Sequence, residues 1–149
     1  MKKEVIIGVT GTQRFAEGYD NKQEFMTVGT LNEHKGFFYL SYQESEINGM
    51  EGVTTILRIE PNHVILKRSG SAEAKQEFRP GVLYRSTYIT PIGNLLLSVL
   101  PEKVESYLTA QGGRISLKYD LFVDDKFVSH NALVITIKED PLNECLRNP

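Results

Sequence analysis

The sequence predicts an all-β protein: a closed, antiparallel, mostly up-and-down β-barrel. Apolar and polar residues alternate through most of the chain, which is the period of half-buried strands. Turn residues, chiefly Gly, Pro, Asn and Asp, recur roughly every 8–15 residues, as in folds built from many short strands. No stretch carries the periodicity of a long amphipathic helix. Short, hairpin-like connections favour a meander over a Greek key. A meander of about ten strands removes its exposed edges by closing on itself. A barrel of that size has room for one small ligand.

Residues 3–14 (KEVIIGVTGTQR), rich in Val, Ile and Thr, form the first strand. AEGYDNK turns the chain into a second strand over 22–32, with Phe25 and Thr27 on one face. His34-Lys35-Gly36 is a tight connection to a third strand beginning at Phe37, on which Phe38, Leu40, Tyr42 and Glu44 share a face. ESEINGMEG, with its Asn-Gly pair and second Gly, is a loop or hairpin. Two strands flank the break at Pro61-Asn62. Val53, Thr55, Leu57 and Ile59 share a face on one, and Val64, Leu66 and Arg68 on the other. SAEAKQEFRPG is read as a strand because Ala74, Gln76 and Phe78 alternate before Pro80-Gly81. VLYRSTYIT follows, with Val82, Tyr84, Ser86 and Tyr88 on one face, and Pro91-Ile92-Gly93 turns. NLLLSVL and then KVESYLT (103–109) are expected as two successive strands. Gln111-Gly112-Gly113 is a hairpin signal before RISLKYDLFV, whose Ile115, Leu117, Tyr119, Leu121 and Val123 alternate with polar residues and Phe122. Asp124-Asp125-Lys126 turns into the last strand, FVSHNALVITIKE, and residues 140–149 form a loosely held tail.

At 149 residues the chain is one domain (1–149), long enough to bury a sizeable core. The formal net charge of −2 gives no general attraction to nucleic acid or anionic lipid. No apolar run approaches the roughly 18 residues of a membrane helix. The N-terminus lacks a secretory pattern, so a cytoplasmic location is expected. A lone Cys145 permits no intrachain disulfide, which suits a reducing compartment.

Candidate chemistry concentrates on one inward-facing polar set. By parity Tyr42, Glu44, Arg68, Tyr88 and Tyr119 share the barrel interior. A charge removed from water needs a partner; Glu44 and Arg68 supply each other, with tyrosine hydroxyls completing the hydrogen bonds. The functional interpretation is a polar anchor in a pocket lined by Leu40, Leu57, Leu66, Leu117 and Leu133, where Arg68 meets a ligand carboxylate or phosphate. The plainer alternative is a structural ion pair at the barrel's end. The 45–52 loop, carrying Met50, is a candidate lid or contact loop, against the plainer reading of a simple hairpin. His34, His63 and His130 lie too far apart for metal-ligand spacing, and His63, beside a turn, is expected to be exposed. Ser129, His130 and Asn131 cannot form a triad, because adjacent strand residues face opposite ways. No phosphate loop, dinucleotide fingerprint, zinc motif or nucleophile elbow occurs, so neither a cofactor nor an enzyme is expected. Arg58, Lys67, Arg79, Arg85, Arg114 and Lys118 fall mainly on outer faces; a solvated wall accounts for them better than RNA binding.

Several short motifs stand together in one order: MEGVTT at 50–55, RSG at 68–70, TPIG at 90–93, GG at 112–113, YDL at 119–121 and SHNALVITIKE at 129–139. In these the chain resembles the YwiB-like proteins, a small bacterial family of unknown function. The resemblance implies a calycin-like (lipocalin-like) barrel and no established activity. Calycins often hold small hydrophobic molecules inside the barrel. This chain contains no Trp, so it lacks the Gly-x-Trp signature of the usual lipocalins. Two expectations follow: a small hydrophobic or anionic ligand in the barrel, or an interaction module using its outer wall or the 45–52 loop.

Overall fold

Every described strand pairs with its sequence neighbour except at one seam, between the sixth and seventh, and the first pairs with the last. The computed structural model describes residues 2–44 and 52–139. Its strands are β1 (Lys2–Phe15), β2 (Asp20–His34), β3 (Phe37–Gln43), β4 (Val53–Glu60), β5 (His63–Gly70), β6 (Ala74–Phe78), β7 (Tyr84–Thr90), β8 (Gly93–Thr109), β9 (Gly112–Val123) and β10 (Lys126–Glu139). They form one sheet in the order β6-β5-β4-β3-β2-β1-β10-β9-β8-β7, antiparallel throughout. The two outermost strands meet at a single bridge, Glu73 with Ile89, made of two backbone hydrogen bonds of 2.9 and 2.8 Å. The barrel is therefore up-and-down, as predicted, and nearly closed, with a thin seam between β6 and β7.

The turns follow their residues. Lys35 and Gly36 connect β2 to β3 with φ of 53° and 84°, and Asp124 and Asp125 connect β9 to β10 at 50° and 65°. Two successive positive φ values match the right-handed twist of flanking strands in two-residue hairpins. Pro61-Asn62 places Asn62 at φ 56°, where Asn is tolerated better than most side chains.

One expectation fails. NLLLSVL and KVESYLT are not two strands but parts of the 17-residue β8. The register against β9 slips between Pro101 and Lys103, so Glu102 is an extra residue in a β-bulge. Pro101 has no N–H to give the ladder, and bulges are where sheets accept proline. The slip reverses parity, so Val99 points inward before it and Val104 after it. Residues 140–149 lie outside the described residues.

The core is unevenly distributed along the tube. One half, at the end with the β2–β3, β4–β5 and β8–β9 turns, is filled by aliphatic side chains and Phe78. Val5, Ile7, Leu40, Leu57, Val64, Phe78, Ile115 and Ile135 have no exposed surface. Gly29 belongs to this closed half: a Cβ there would lie 2.2 Å from the Ser41 carbonyl oxygen and 2.5 Å from Ile7 Cδ1. The other half is different.

Candidate functional site

Alternation puts a polar residue on an inward position wherever the strands run on past the aliphatic core. On β3, Leu40 is followed inward by Tyr42 and then Glu44; on β5, Leu66 is followed by Arg68. The pairing aligns Tyr42 with Thr55 and Thr55 with Arg68 in one cross-strand row. Glu44 stands just above that row, its backbone N–H donating to Val53 O at 2.8 Å. Thr55 Oγ1 donates to Glu44 Oε1 at 2.5 Å. Arg68 Nε lies 3.7 Å from the same oxygen. The Glu44 side chain is only 2% exposed and that of Arg68 18%. Arg68 Nε makes no hydrogen bond among the described residues, so its attraction to Glu44 is coulombic, at a distance that leaves the N–H available. Burial pushes the Tyr42 hydroxyl well above its ordinary value; the Glu44 carboxylate reinforces this by charge and hydrogen bonding, while Arg68 opposes it.

These residues border an interior cavity of about 270 Å3 to which every strand but β4 and β7 contributes. The sequence-predicted residues Tyr42, Glu44, Arg68 and Tyr119 come together on it. Tyr119 is held edge-on against Phe78, with ring centroids 5.0 Å apart. Tyr88 does not join them. It faces inward on β7 but sits beside the seam bridge, where it borders a separate depression with Val53, Ala72, Thr90 and Leu95. The expected apolar lining is also corrected. Leu40, Leu57, Leu66 and Leu117 are consumed by the packed half, and only Leu133 reaches the cavity.

Side-chain amides take the place of those leucines. Gln13, Asn21, Gln23, Gln76 and Asn131 all line the space, with Phe25 and Leu121 between them. Asn131 accepts from Ser129 Oγ at 2.5 Å, which leaves its NH2 donors. The other four amides make no side-chain hydrogen bond among the described residues. Parity was the signal for them: Gln76 alternates with Ala74 and Phe78, and Gln13 with Val9 and Gly11. Gly11 itself opens the space. A Cβ there would meet only Leu133 Cδ1, at 3.9 Å.

A wider depression of about 630 Å3 shares Gln13, Asn21, Tyr119 and Asn131 with the cavity. It carries a cross-strand ion pair, Arg14 with Asp20 (3.4 Å), and a cross-strand hydrogen bond between His130 Nδ1 and Asp120 (2.5 Å). His130 points outward while Ser129 and Asn131 are buried inside, as alternation requires, so the three form no triad. His63 is not exposed as expected. Only 14% of its side chain meets solvent, because it lies between Glu77 (3.1 Å) and Glu60 (3.7 Å). Partial burial pushes the Glu77 carboxyl up, but hydrogen bonds and charge from His63 and Lys75 outweigh it and hold Glu77 below the ordinary carboxylate value. The outer basic residues are scattered over β4, β5, β7, β9 and the β6–β7 turn, and Arg58 and Arg85 are paired with Glu60 and Asp125. Among the described residues no group of three or more His, Cys, Asp or Glu side chains is placed to hold a metal ion. Met50 and most of the 45–52 loop lie outside the described residues, as does Cys145.

Fold and cavity together define a ten-stranded up-and-down β-barrel, packed at one end and hollow and polar at the other. Residues 7–135 match the family described as a domain of unknown function, DUF1934. The chain belongs to that family. It is 31% identical over 120 residues to the uncharacterised β-barrel protein YwiB of Bacillus subtilis strain 168, covering 80% of this chain and 83% of that one. The crystal structure of the B. subtilis ywiB protein superposes with a TM-score of 0.84 at 26% identity, over 93% of each chain. The resemblance seen in the sequence motifs therefore holds, and it carries a fold without an activity.

Proposed function

We propose that this protein binds a small molecule inside the hollow half of its barrel, with Arg68, Glu44, Tyr42 and Tyr119 at the site. The observation that carries this is the cavity of about 270 Å3 bordered by a buried ion pair and unpaired amides. Arg68 Nε is buried without a hydrogen-bond partner among the described residues, which is costly in a folded protein. Gln76 is buried beside it, while Asn21 and Gln23 are exposed at the cavity's mouth. A fold whose other half packs densely has no steric need for such groups. The volume lies just under the roughly 300–1,000 Å3 typical of ligand pockets. A long hydrocarbon chain finds too little room, because the aliphatic core plugs the tube. We take the role to be binding without catalysis, since no nucleophile, base and orienting group converge on the cavity among the described residues. A cytoplasmic setting suits a chain with one cysteine.

The test is native mass spectrometry of protein purified gently from cells, beside the variant Gly11→Leu, whose side chain would occupy the cavity. The wild type is expected to retain a non-covalent small molecule that the variant lacks. Equal masses free of adduct for both proteins, with thermal stability unmoved by small-molecule extracts, would contradict the proposal. They would favour an interaction module, for which the outer wall offers exposed Met26 and Val28 on β2.

A further inference from the structure

The charges and amides of the cavity say what kind of molecule fits it. This inference rests on the interior-cavity reading above and narrows it. Arg68 and Glu44 are the cavity's opposite charges, one cation and one anion 3.7 Å apart. An incoming carboxylate or phosphate that approaches Arg68 also approaches the Glu44 carboxylate, and with the two groups only 3.7 Å apart the repulsion offsets the attraction. A cation meets the reverse problem. The ion pair thus selects against net charge of either sign.

The amides select for something else. Gln13, Asn21, Gln23 and Gln76 each present a carbonyl acceptor and an NH2 donor, and Asn131 adds its donors. Groups that donate and accept at once complement such a lining: hydroxyls, amides and the N–H and C=O edges of heterocycles. Phe25 and Tyr42, with ring centroids 6.4 Å apart, and Tyr119 provide flat apolar faces. Such faces suit the C–H face of a sugar or a planar ring. Gly11, where an added Cβ would meet only Leu133 Cδ1 at 3.9 Å, keeps the floor open.

We infer that the ligand is a neutral, ring-sized molecule bearing several groups that both donate and accept hydrogen bonds, of the monosaccharide or nucleobase kind. It is neither an apolar chain nor an anion. The experiment is binding to the full chain, by calorimetry or ligand-observed NMR, of a neutral set (glucose, ribose, uracil, adenine) and a charged set (decanoate, inorganic phosphate, ribose 5-phosphate). A member of the neutral set is expected to bind, and whether it is a sugar or a base separates the two sources of this chemistry. Gln76→Leu should weaken that binding roughly tenfold, and Gly11→Leu, or Gly11→Val where Leu is too long, should abolish it. Glu44→Gln, which leaves Arg68 uncompensated, should raise affinity for the charged set. Tighter binding of charged probes than neutral ones by the wild type overturns the inference and leaves the cavity reading standing. Failure of both sets to bind, or binding that survives both Gly11 variants, overturns the two together.

Discussion

Along β1 the inward side chains run Val5, Ile7, Val9, Gly11 and Gln13; along β10, in the opposite chain direction, they run Ile137, Ile135, Leu133, Asn131 and Ser129. The β1 row gives way at Gly11, which still faces Leu133 across the pair, and both rows are polar one inward step further on, where Gln13 pairs with Asn131. Leu40 gives way to Tyr42 and Glu44, Leu66 to Arg68, and Phe78 to Gln76 in the same sense. The same strands therefore build two interiors. The aliphatic half excludes water and supplies the transfer free energy that closes the tube. The polar half inherits its rigidity from that closure and is free to carry groups that contribute little to folding.

The difference is testable by truncation. Leu57→Ala or Ile115→Ala removes a side chain with no exposed surface and should cost about 2–5 kcal/mol in urea unfolding. Leu133→Ala, on the cavity edge, should cost about 1 kcal/mol or less, since its loss enlarges a space already present. Equal costs would erase the distinction. Removing one charge comes next. Arg68→Met strands the buried Glu44 carboxylate and should destabilise by about 2–3 kcal/mol, below the 3–5 kcal/mol of fully buried pairs because Arg68 keeps some solvent. The double variant Glu44→Gln/Arg68→Met should recover most of that loss.

Two glycines sharpen the contrast further. Gly29→Ala drives a methyl into the Ser41 carbonyl and should cost about 1–3 kcal/mol. Gly11→Ala meets only Leu133 Cδ1, at an ordinary contact distance of 3.9 Å, and should stabilise by about 0.5–1 kcal/mol through the loss of backbone freedom in the unfolded chain. The smallest effect at neutral pH belongs to Tyr42. Its hydroxyl is held above the ordinary tyrosine value in the folded protein, so the folded state keeps its proton more tightly. That contribution is unchanged below about pH 10 and is lost as pH rises beyond it, where the unfolded tyrosine ionises. Alkaline absorbance titration should show the Tyr42 phenol ionising later in the folded protein than in the unfolded one, and Tyr42→Phe should remove that contribution.

Much of this architecture was legible in the sequence because period-two patterning reports facing directly. Parity placed Tyr42, Glu44, Arg68 and Tyr119 on one interior surface, and the turn residues set hairpins between neighbouring strands. What patterning cannot report is height along the tube. Leu40, Leu57, Leu66 and Leu117 have the right facing for a pocket but lie in the packed half, and Tyr88 faces inward at the seam, away from the cavity. Facing also reverses at a bulge, and Pro101-Glu102 hid one by resembling the gap between two strands. The amides escape patterning for a simpler reason: single Gln and Asn residues on β1, β2, β6 and β10, mostly distant in sequence, form a cluster only once the barrel closes. The burial of His63 is invisible to patterning because its neighbour Glu77 comes from the next strand.

The division between a dry half and a wet half can be measured by NMR, as magnetisation transfer from water to assigned side chains. Cross-peaks from water, or from a bound small molecule, to the side-chain NH2 groups of Gln76 and Asn131 are the predicted result, with none to the methyl groups of Leu57 and Ile115. Water contacts at those methyl groups, or amide groups as dry as the aliphatic core, would contradict it.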